Sequence, residues 1–369
     1  MREMAFKFQP SKPFSLGVEI ELQIIDRTSL NLVPRAPEIL AMVPAELKDR
    51  IKPEFIRSMV EVNTEVCTDV NLVKENLTYL IRLAEKLAAK NNSLLFATSL
   101  HPFARHSDQQ LSSNPRYYRI MDELQITGRR FITQGLHVHV GMDNCEDAIR
   151  VSDSIRLFLP VLLALTCSSP YYEGVDTGLH SYRTNLFKAL PLAGIPDELG
   201  SWDKYSEMIT LLINTGIIND IRDLWWDVRP HPDFGTIEIR ICDLPSSFNE
   251  ILAIVALIQG LAANMTESGE HTSYNMQILK SNTWQAARYG LEGRFASPLI
   301  QKKISMQEAA GEIFAKVAPT MEHLGTSRYL HVLQKIVKTG TSSVQQRKIF
   351  NKQKDFSAII KELQPKFWE

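Results

Sequence analysis

The stretch Leu16-Gly17-Val18-Glu19-Ile20-Glu21-Leu22-Gln23-Ile24 decides the fold, because every second residue in it is aliphatic. Successive side chains of a β-strand point to opposite faces, so this spacing predicts a strand with one apolar and one acidic face. The same alternation returns at residues 60–66, 136–140 and 236–241, and the last of these follows residues 224–229 across a predicted hairpin turn, 230–235. One-sided strands are typical of antiparallel sheets, whereas doubly wound parallel sheets bury both faces. The sequence therefore predicts an α+β fold.

Helical patterns surround these strands. Residues 71–92 carry apolar side chains three and four positions apart, and similar spacing marks residues 145–166, 202–214, 249–266, 306–317 and 328–338. The uncharged runs at 157–172 and 251–266 are shorter than the roughly 20 residues of a membrane span, so we expect buried helices. No repeat or linker divides the chain, which predicts one domain over residues 1–369. Its helical, basic region at 300–369 is expected to end in a solvated tail.

The composition limits the classes of partner. The 369 residues include 41 Lys plus Arg and 42 Asp plus Glu, a net charge of −1. This balance favours neither nucleic acid nor an anionic membrane, so small-molecule partners bound through local charge are expected. The four cysteines form no CxxC pair, and residues 1–13 lack the apolar stretch of a secretory signal. Both observations favour a cytoplasmic protein.

The polar faces of the four strands share an unusual set of side chains. One polar strand face is usually just solvated. Together, however, these faces carry no lysine; they carry Glu19, Glu21, Glu61, Glu65, Glu238, His137, His139 and Arg240. Carboxylates gathered on one sheet repel one another unless cations neutralise them. Their oxygens suit Mg²⁺ or Mn²⁺, which predicts a floor for a metal-bound nucleotide. Glu54 either adds to this floor or lies in an exposed loop.

Histidines and arginines add two possible kinds of chemistry, the binding of a transition metal and the transfer of a phosphoryl group. His137 and His139 share one strand face and could bind a transition metal, although one of the two is expected to be structural. Phosphoryl transfer needs positive charge. The candidates for it are Arg183, Arg229, Arg240 and Arg288. Arg240 is the strongest, because it shares a face with Glu238. The chain contains neither GxxxxGK[ST] nor a GxGxxG after a strand, so metals and arginines would have to hold phosphate.

Together these segments resemble the glutamate–cysteine ligase type 2 family, also called carboxylate-amine ligases. The resemblance spans roughly residues 14–295 in the family's order. The stretches that carry it are Gly17-Val18-Glu19-Ile20-Glu21-Leu22, Glu61-Val62-Asn63-Thr64, Gly135-Leu136-His137-Val138-His139-Val140-Gly141, Ser169-Pro170, Gly174, Asp176-Thr177-Gly178, Ser181-Tyr182-Arg183, Pro191-Leu192-Ala193-Gly194, Trp225-Trp226-Asp227-Val228-Arg229-Pro230, Gly235-Thr236-Ile237-Glu238-Ile239-Arg240-Ile241-Cys242-Asp243, Asn282 and Arg288-Tyr289-Gly290.

The resemblance implies a glutamine-synthetase-like catalytic domain, in which a curved antiparallel sheet carries helices packed on one side. It also implies ATP and Mg²⁺ as cofactors, with Mn²⁺ as an alternative metal. The matching metal ligands are Glu19, Glu21, Glu54, Glu61, His137 and Glu238. Arg240 and Arg183 match catalytic positions, and Arg288, Arg229 and Asn282 match positions expected to contact the nucleotide.

The implied reaction transfers the γ-phosphoryl group of ATP to a carboxylate, and an amine then attacks the acyl phosphate to form an amide. Glutamate and cysteine are the expected substrates, and a homodimer is compatible with the resemblance. Ile20, Gln134 and Ser168 depart from the family pattern, and the last two leave the identity of the amine open. Two other classes stay open: a zinc amide hydrolase that uses His137 and His139, and a non-catalytic protein that binds ATP or an amino acid.

Overall fold

The acidic strand lies in the middle of a seven-stranded sheet in the computed structural model, which describes residues 7–269 and 272–369. The strands of the chain are β1 (Leu16–Asp26), β2 (Ile51–Pro53), β3 (Met59–Asn63), β4 (Ser93–Phe96), β5 (Leu136–Gly141), β6 (Tyr171–Tyr172), β7 (Val175–Asp176), β8 (Val228–His231), β9 (Thr236–Ile239), β10 (Arg294–Ser297) and β11 (Lys302–Ser305). The main sheet has the order β2-β3-β1-β5-β9-β8, and β4 pairs with the end of β1. The pairings between these strands are antiparallel, as predicted.

Each segment predicted as a helix is helical, and the structure adds helices that were not predicted, among them Pro115–Leu124 and Met276–Tyr289. The helices are α1 (Ala36–Ala41), α2 (Val70–Lys90), α3 (Pro115–Leu124), α4 (Ile126–Arg129), α5 (Cys145–Ile155), α6 (Leu159–Thr166), α7 (Tyr182–Phe187), α8 (Trp202–Asn214), α9 (Phe248–Ser268), α10 (Met276–Tyr289), α11 (Met306–His323), α12 (Tyr329–Thr339), α13 (Ser342–Gln353) and α14 (Phe356–Leu363). The region predicted as one helix at 145–166 is two, because Pro160 lacks an N–H group and begins α6 in its first turn.

The apolar face of the sheet forms the core of the protein. Val18, Ile20 and Leu22 of β1 are buried in one cluster with α2, α5 and α9, which pack on this face. Among the described residues, α9 is the one helix long and apolar enough to cross a membrane, and 83% of that apolar window is buried inside the protein. It is therefore a core helix, as predicted, and the opposite face of the sheet is left free for polar side chains.

Two strand predictions need correction. β3 ends at Asn63, so Glu65 and Val66 lie outside the sheet and are exposed. Thr64 turns the chain away, since its N–H group donates to Val18 and its side chain accepts from the Val18 N–H group. The predicted hairpin turn is also too long, because β8 continues through Pro230 to His231. β8 is an edge strand, where proline is tolerated without breaking a ladder.

The C-terminal region is helical as predicted, but it is not a solvated tail. Its lysines are exposed, whereas Gln346 is fully buried and donates to Thr98 Oγ1 (3.0 Å) and the Ser168 carbonyl (2.8 Å). Ile359 and Ile360 of α14 are buried in a second apolar cluster. The prediction failed because charged residues on one face of a helix say nothing about its other face. The single-domain organisation stays a prediction, and residues 1–6 of the segment examined for a signal lie outside the described residues.

Candidate active site

A cavity of about 590 Å³ opens over the polar face of the sheet. β1, β5 and β9 supply its floor, and its walls come from α3, residues 220–225 and the turn between β8 and β9. Residues directly opposite in an antiparallel pair have Cβ atoms about 5 Å apart, so the strand register fixes which side chains meet. The polar pairs set side by side in this way are Glu21–Glu61, Glu19–His137, His139–Glu238 and Glu238–Arg229.

The first group on the floor consists of Glu19, His139 and Glu238, called here the histidine cluster. Their ligand atoms all lie within 4.8 Å of one another. His139 Nε2 is 3.6 Å from Glu19 Oε1 and 3.8 Å from Glu238 Oε1. The other ring nitrogen, Nδ1, is 3.0 Å from Thr236 Oγ1, which fixes the orientation of the imidazole. This arrangement can hold one cation between two carboxylates and an imidazole.

His137, the histidine expected as a ligand, lies beside this cluster rather than in it. Its Nδ1 is 3.2 Å from Glu19 Oε2, and its buried Nε2 atom has no hydrogen-bond partner among the described residues. A buried nitrogen without a partner costs free energy, so its position indicates a partner that the chain itself does not supply. The assignment of His137 as a metal ligand stays a prediction, and His139 is a second candidate.

The second group consists of Glu21, Glu54 and Glu61, called here the carboxylate cluster, whose oxygens also lie within 4.8 Å of one another. Glu54 comes from the connection between β2 and β3, and Tyr117 of α3 donates to its Oε2 at 3.0 Å. The Gly135 N–H group donates to Glu21 Oε2 at 2.6 Å. Three carboxylates converge here with few protein cations near them, and carboxylate oxygens are ligands that suit Mg²⁺.

The environments of the two clusters shift the pKa values of their carboxyl groups in opposite directions. Burial, followed by the charges of Glu19 and Glu54, raises the pKa of Glu61 to about 8. Burial also raises the pKa of Glu21 and of Glu54. The pKa of Glu238 is lowered although burial opposes the shift, because two guanidinium groups contact it. Only the carboxylate cluster is therefore short of positive charge.

The two guanidinium groups belong to Arg229 and Arg240, and both line the cavity. Arg229 donates from Nε (2.9 Å) and Nη2 (2.7 Å) to Glu238 Oε2, and Arg240 donates from Nη1 to Oε1 of the same carboxylate. Both arginines are buried or nearly so, and burial strengthens such pairs. Glu238 thus holds two guanidinium groups at the edge of the histidine cluster, where they could contact phosphate oxygens.

The other three predicted arginine and asparagine sites lie away from the cavity lining. Arg183 is buried beside the floor, outside the cavity lining, and donates to the carbonyls of Ile241 (3.3 Å) and Arg240 (3.2 Å). Arg288 donates to the Gly178 carbonyl, and Asn282 pairs with the backbone of Ala296 at 3.0 and 2.8 Å. These are structural contacts within the described residues. Roles for the three residues in catalysis or nucleotide binding stay predictions.

Several lining residues were not predicted from the sequence. Lys52 of β2 is 3.7 Å from Glu61, so the polar face does carry a lysine. Arg116 and Tyr117 reach the cavity from α3, and Trp225 and Phe131 form part of its wall. None of them follows a strand alternation that could have identified it, although the spacing of Tyr117, Ile120 and Leu124 does indicate one helical face.

The donor set fits a divalent cation. Five of the six clustered ligands are carboxylates, which suit Mg²⁺ or Mn²⁺ more than they suit zinc. The raised pKa values of the carboxylate cluster and the unpartnered His137 Nε2 are both relieved by a bound cation or ligand. The arginines beside the histidine cluster suit phosphate oxygens. The cavity therefore has the chemistry to bind a nucleotide with metal ions.

Comparison with known proteins agrees with this chemistry. The model of glutamate–cysteine ligase family 2 matches residues 15–362, well beyond the roughly 14–295 of the sequence resemblance. A relative from Gloeobacter violaceus, provisionally named glutamate–cysteine ligase 2, is 38% identical over 98% of this chain and 99% of its own length. A relative of the same provisional name from Solibacter usitatus is 34% identical over 94% of this chain and 91% of its length.

Solved structures support the fold. The chain is similar to glutamate–cysteine ligase from Francisella tularensis in complex with AMP, with a TM-score of 0.71, 15% identity, and coverage of 98% of this chain and 90% of that one. A bifunctional glutathione synthetase from Pasteurella multocida gives a TM-score of 0.72 at 13% identity, over 96% of this chain and 52% of that one. The predicted glutamine-synthetase-like fold is confirmed. The chain belongs to glutamate–cysteine ligase family 2 and is an ATP-dependent ligase that forms carbon–nitrogen bonds.

Proposed function

We propose that the protein couples ATP hydrolysis to formation of a γ-glutamyl amide, with glutamate as the acid and a primary amine as the acceptor. Cysteine is the default acceptor, because the relatives carry its name. The observation that carries the proposal is the pair of carboxylate-rich clusters in one cavity, with two arginines at only one of them. We also propose that the reaction takes place in the cytoplasm.

Each cluster is proposed to bind its own metal ion. Glu19, His139 and Glu238 would hold one divalent cation, and Glu21, Glu54 and Glu61 a second. When bound, such cations neutralise phosphate and carboxylate oxygens that would otherwise repel each other. His137, with its unpartnered Nε2, can complete either the metal shell or the substrate contacts.

The first chemical step joins a γ-carboxylate oxygen of glutamate to the γ-phosphorus of ATP, while the bond between that phosphorus and the bridging β,γ-oxygen breaks and ADP leaves. Arg229 and Arg240 are held by Glu238 and line the cavity, so their remaining guanidinium N–H groups would meet the phosphate oxygens. Fixed donors of this kind stabilise charge that develops in the transition state without having to reorganise.

In the second step the amine nitrogen attacks the acyl carbon, the carbon–nitrogen bond forms, and the carbon–oxygen bond to phosphate breaks. The amine loses a proton, and inorganic phosphate leaves. α3 forms a wall of the cavity through Tyr117, Ile120 and Leu124, and we expect this wall to limit the access of water to the acyl phosphate. Exclusion of water matters here, because hydrolysis of the intermediate would waste ATP.

The test is Mg²⁺-dependent release of ADP that requires both glutamate and an amine. Glu19→Gln removes one charge between His137 and His139 and is expected to abolish turnover with the fold intact. Glu65→Gln makes the same chemical change at an exposed residue outside the sheet and should leave turnover unchanged. Purified protein that releases no ADP with any member of a panel of amino acids and amines would contradict the proposal.

A further inference from the structure

One end of the cavity is lined by large apolar side chains. Phe131, Phe187, Leu190 and Trp225, together with Ile120 and Leu124 of α3, form what is called here the aromatic compartment. The ring centroids of Phe131 and Phe187 are 4.6 Å apart, and Trp225 lies 6.4 Å from each of them. These distances place three aromatic rings around one space.

The surface of this compartment suits an apolar group. None of its six side chains carries a charge, and Phe131, Phe187 and Trp225 are only partly buried, so ring surface is left open in the cavity. Covering apolar surface with an apolar group is favourable, whereas an ammonium group placed there would lose its hydration without an acceptor among these six side chains. The compartment therefore suits an apolar substituent.

The compartment borders the carboxylate cluster. The Arg183 guanidinium lies over the Phe187 ring at 4.5 Å and packs against Gly135, whose N–H group donates to Glu21. Tyr117, which donates to Glu54, lies on the same face of α3 as Ile120 and Leu124. An apolar group in the compartment would thus lie next to the carboxylate that is being activated.

A second aromatic surface is available to the nucleotide, at the turn between β8 and β9. There His231 stacks on Phe234 with centroids 4.1 Å apart and an interplanar angle of 6°. Phe234 is 57% exposed and lies 5.8 Å from His139, so the stacked pair offers an open aromatic surface beside the phosphate-binding arginines. A purine base stacked on this pair leaves the aromatic compartment to the second substrate.

We infer that the acceptor is a primary amine with an apolar, ring-sized substituent that sits in the aromatic compartment, rather than cysteine. The inference rests on the proposed ligase function and names its second substrate class. The amine nitrogen then enters from the compartment side and attacks the acyl carbon beside the carboxylate cluster, with phosphate as the leaving group and loss of one ammonium proton.

The experiment compares kcat/KM for 2-phenylethylamine, L-cysteine and methylamine, with L-glutamate and Mg·ATP held at saturation. We expect 2-phenylethylamine to be preferred at least about tenfold, the discrimination that an apolar pocket gives for a few carbons. Phe131→Ala should lower kcat/KM for this amine at least about tenfold and leave the KM for ATP unchanged. Phe131→Leu, which keeps an apolar side chain, should lose less. Tyr118→Ala, on the exposed face of α3, is the matched control.

Each outcome decides the inference. Efficient use of cysteine or methylamine, equal to or better than that of 2-phenylethylamine, overturns it while the ligase function stands. A rise in the KM for ATP in Phe131→Ala, with the amine preference unaltered, assigns the compartment to the base and also overturns it.

If no amine supports ADP release, the proposed function fails, and binding of 2-phenylethylamine is then measured by quenching of Trp225 fluorescence. Saturable quenching that is lost in Phe131→Ala and in Trp225→Phe supports the compartment; no quenching overturns it.

Discussion

The substitution Glu61→Gln measures separately how the carboxylate cluster affects Mg²⁺ binding and how it affects the free energy of unfolding. Burial and the neighbouring carboxylates raise the pKa of Glu61 from 4.5 to about 8 in the metal-free protein. Between these values the folded protein keeps a proton that the unfolded chain has released, so stability falls as the pH rises from about 4.5 to about 8. One pKa unit corresponds to about 1.4 kcal/mol, which makes the full effect on the order of 4 kcal/mol at pH 8.

Glutamine mimics the protonated acid and can still accept the hydrogen bond that Asn63 Nδ2 gives to Glu61 Oε1. In EDTA at pH 8, Glu61→Gln is therefore expected to be more stable than the natural protein by a few kcal/mol, and the two should converge near pH 4.5. Addition of Mg²⁺ should stabilise the natural protein and have little effect on the variant, because a ligand has been lost.

Urea unfolding at pH 5 and pH 8, with EDTA or with Mg²⁺, measures these differences. Glu65→Gln is the control, since Glu65 is exposed and lies outside the cluster. If Glu61→Gln were less stable than the natural protein at pH 8 in EDTA, the carboxylates would not be repelling one another. If Mg²⁺ stabilised both proteins equally, Glu61 would not be a ligand.

Two further substitutions test how the floor is held in place. Tyr117→Phe removes the 3.0 Å hydrogen bond to Glu54 but keeps the ring that packs on Phe55. Because the hydrogen bond orients a proposed metal ligand, the Mg²⁺ concentration for half-maximal activity should rise about 10- to 100-fold at an unchanged maximal rate. An unchanged Mg²⁺ requirement would remove Glu54 from the ligand set. Gly135→Ala places a Cβ atom 2.6 Å from Arg183 Nη2 and 3.1 Å from His137 Nε2, so kcat should fall at least about tenfold. Gly17→Ala is its control, because its Cβ would come no nearer than 3.5 Å to His139; equal kcat values for the two variants would show that the position of Arg183 does not matter.

The sequence predicted the floor of the site well because strand alternation fixes faces directly. Glu19, Glu21 and Glu238 were placed together from a period of two, and the register of β1, β5 and β9 confirms that they share a face. Glu54 sits in an irregular connection, so the sequence left open whether it joins the floor or lies in an exposed loop, and the family resemblance favoured the floor. The alternation was misleading at Glu65, because one hydrogen-bonding residue, Thr64, ended the strand early.

The walls could not be predicted in the same way. Tyr117 and Trp225 reach the cavity because α3 and residues 220–225 fold over the sheet, and this packing depends on contacts between distant parts of the chain. Arg116 and Arg119 of α3 are 3.6 and 3.1 Å from Asp223, so ion pairs hold the two walls together. No local pattern in the sequence predicts such a contact between residues about 100 positions apart.

The two clusters differ in the number of cationic side chains that contact them, so the two sides of the cavity floor favour different ligands. Glu238 already has two arginine partners, so a cation at the histidine cluster must share that carboxylate with Arg229 and Arg240. At the carboxylate cluster the nearest cation that contacts a ligand is Lys52, at 3.7 Å from Glu61, and burial raises the pKa of all three carboxylates. On the proposed mechanism, a free divalent cation would therefore gain more at the carboxylate cluster. A cation that arrives with phosphate would gain more at the histidine cluster, because the arginines would then bind phosphate oxygens. The same floor would thus distinguish a metal-bound carboxylate substrate from a metal-bound nucleotide, and it would place them side by side for phosphoryl transfer.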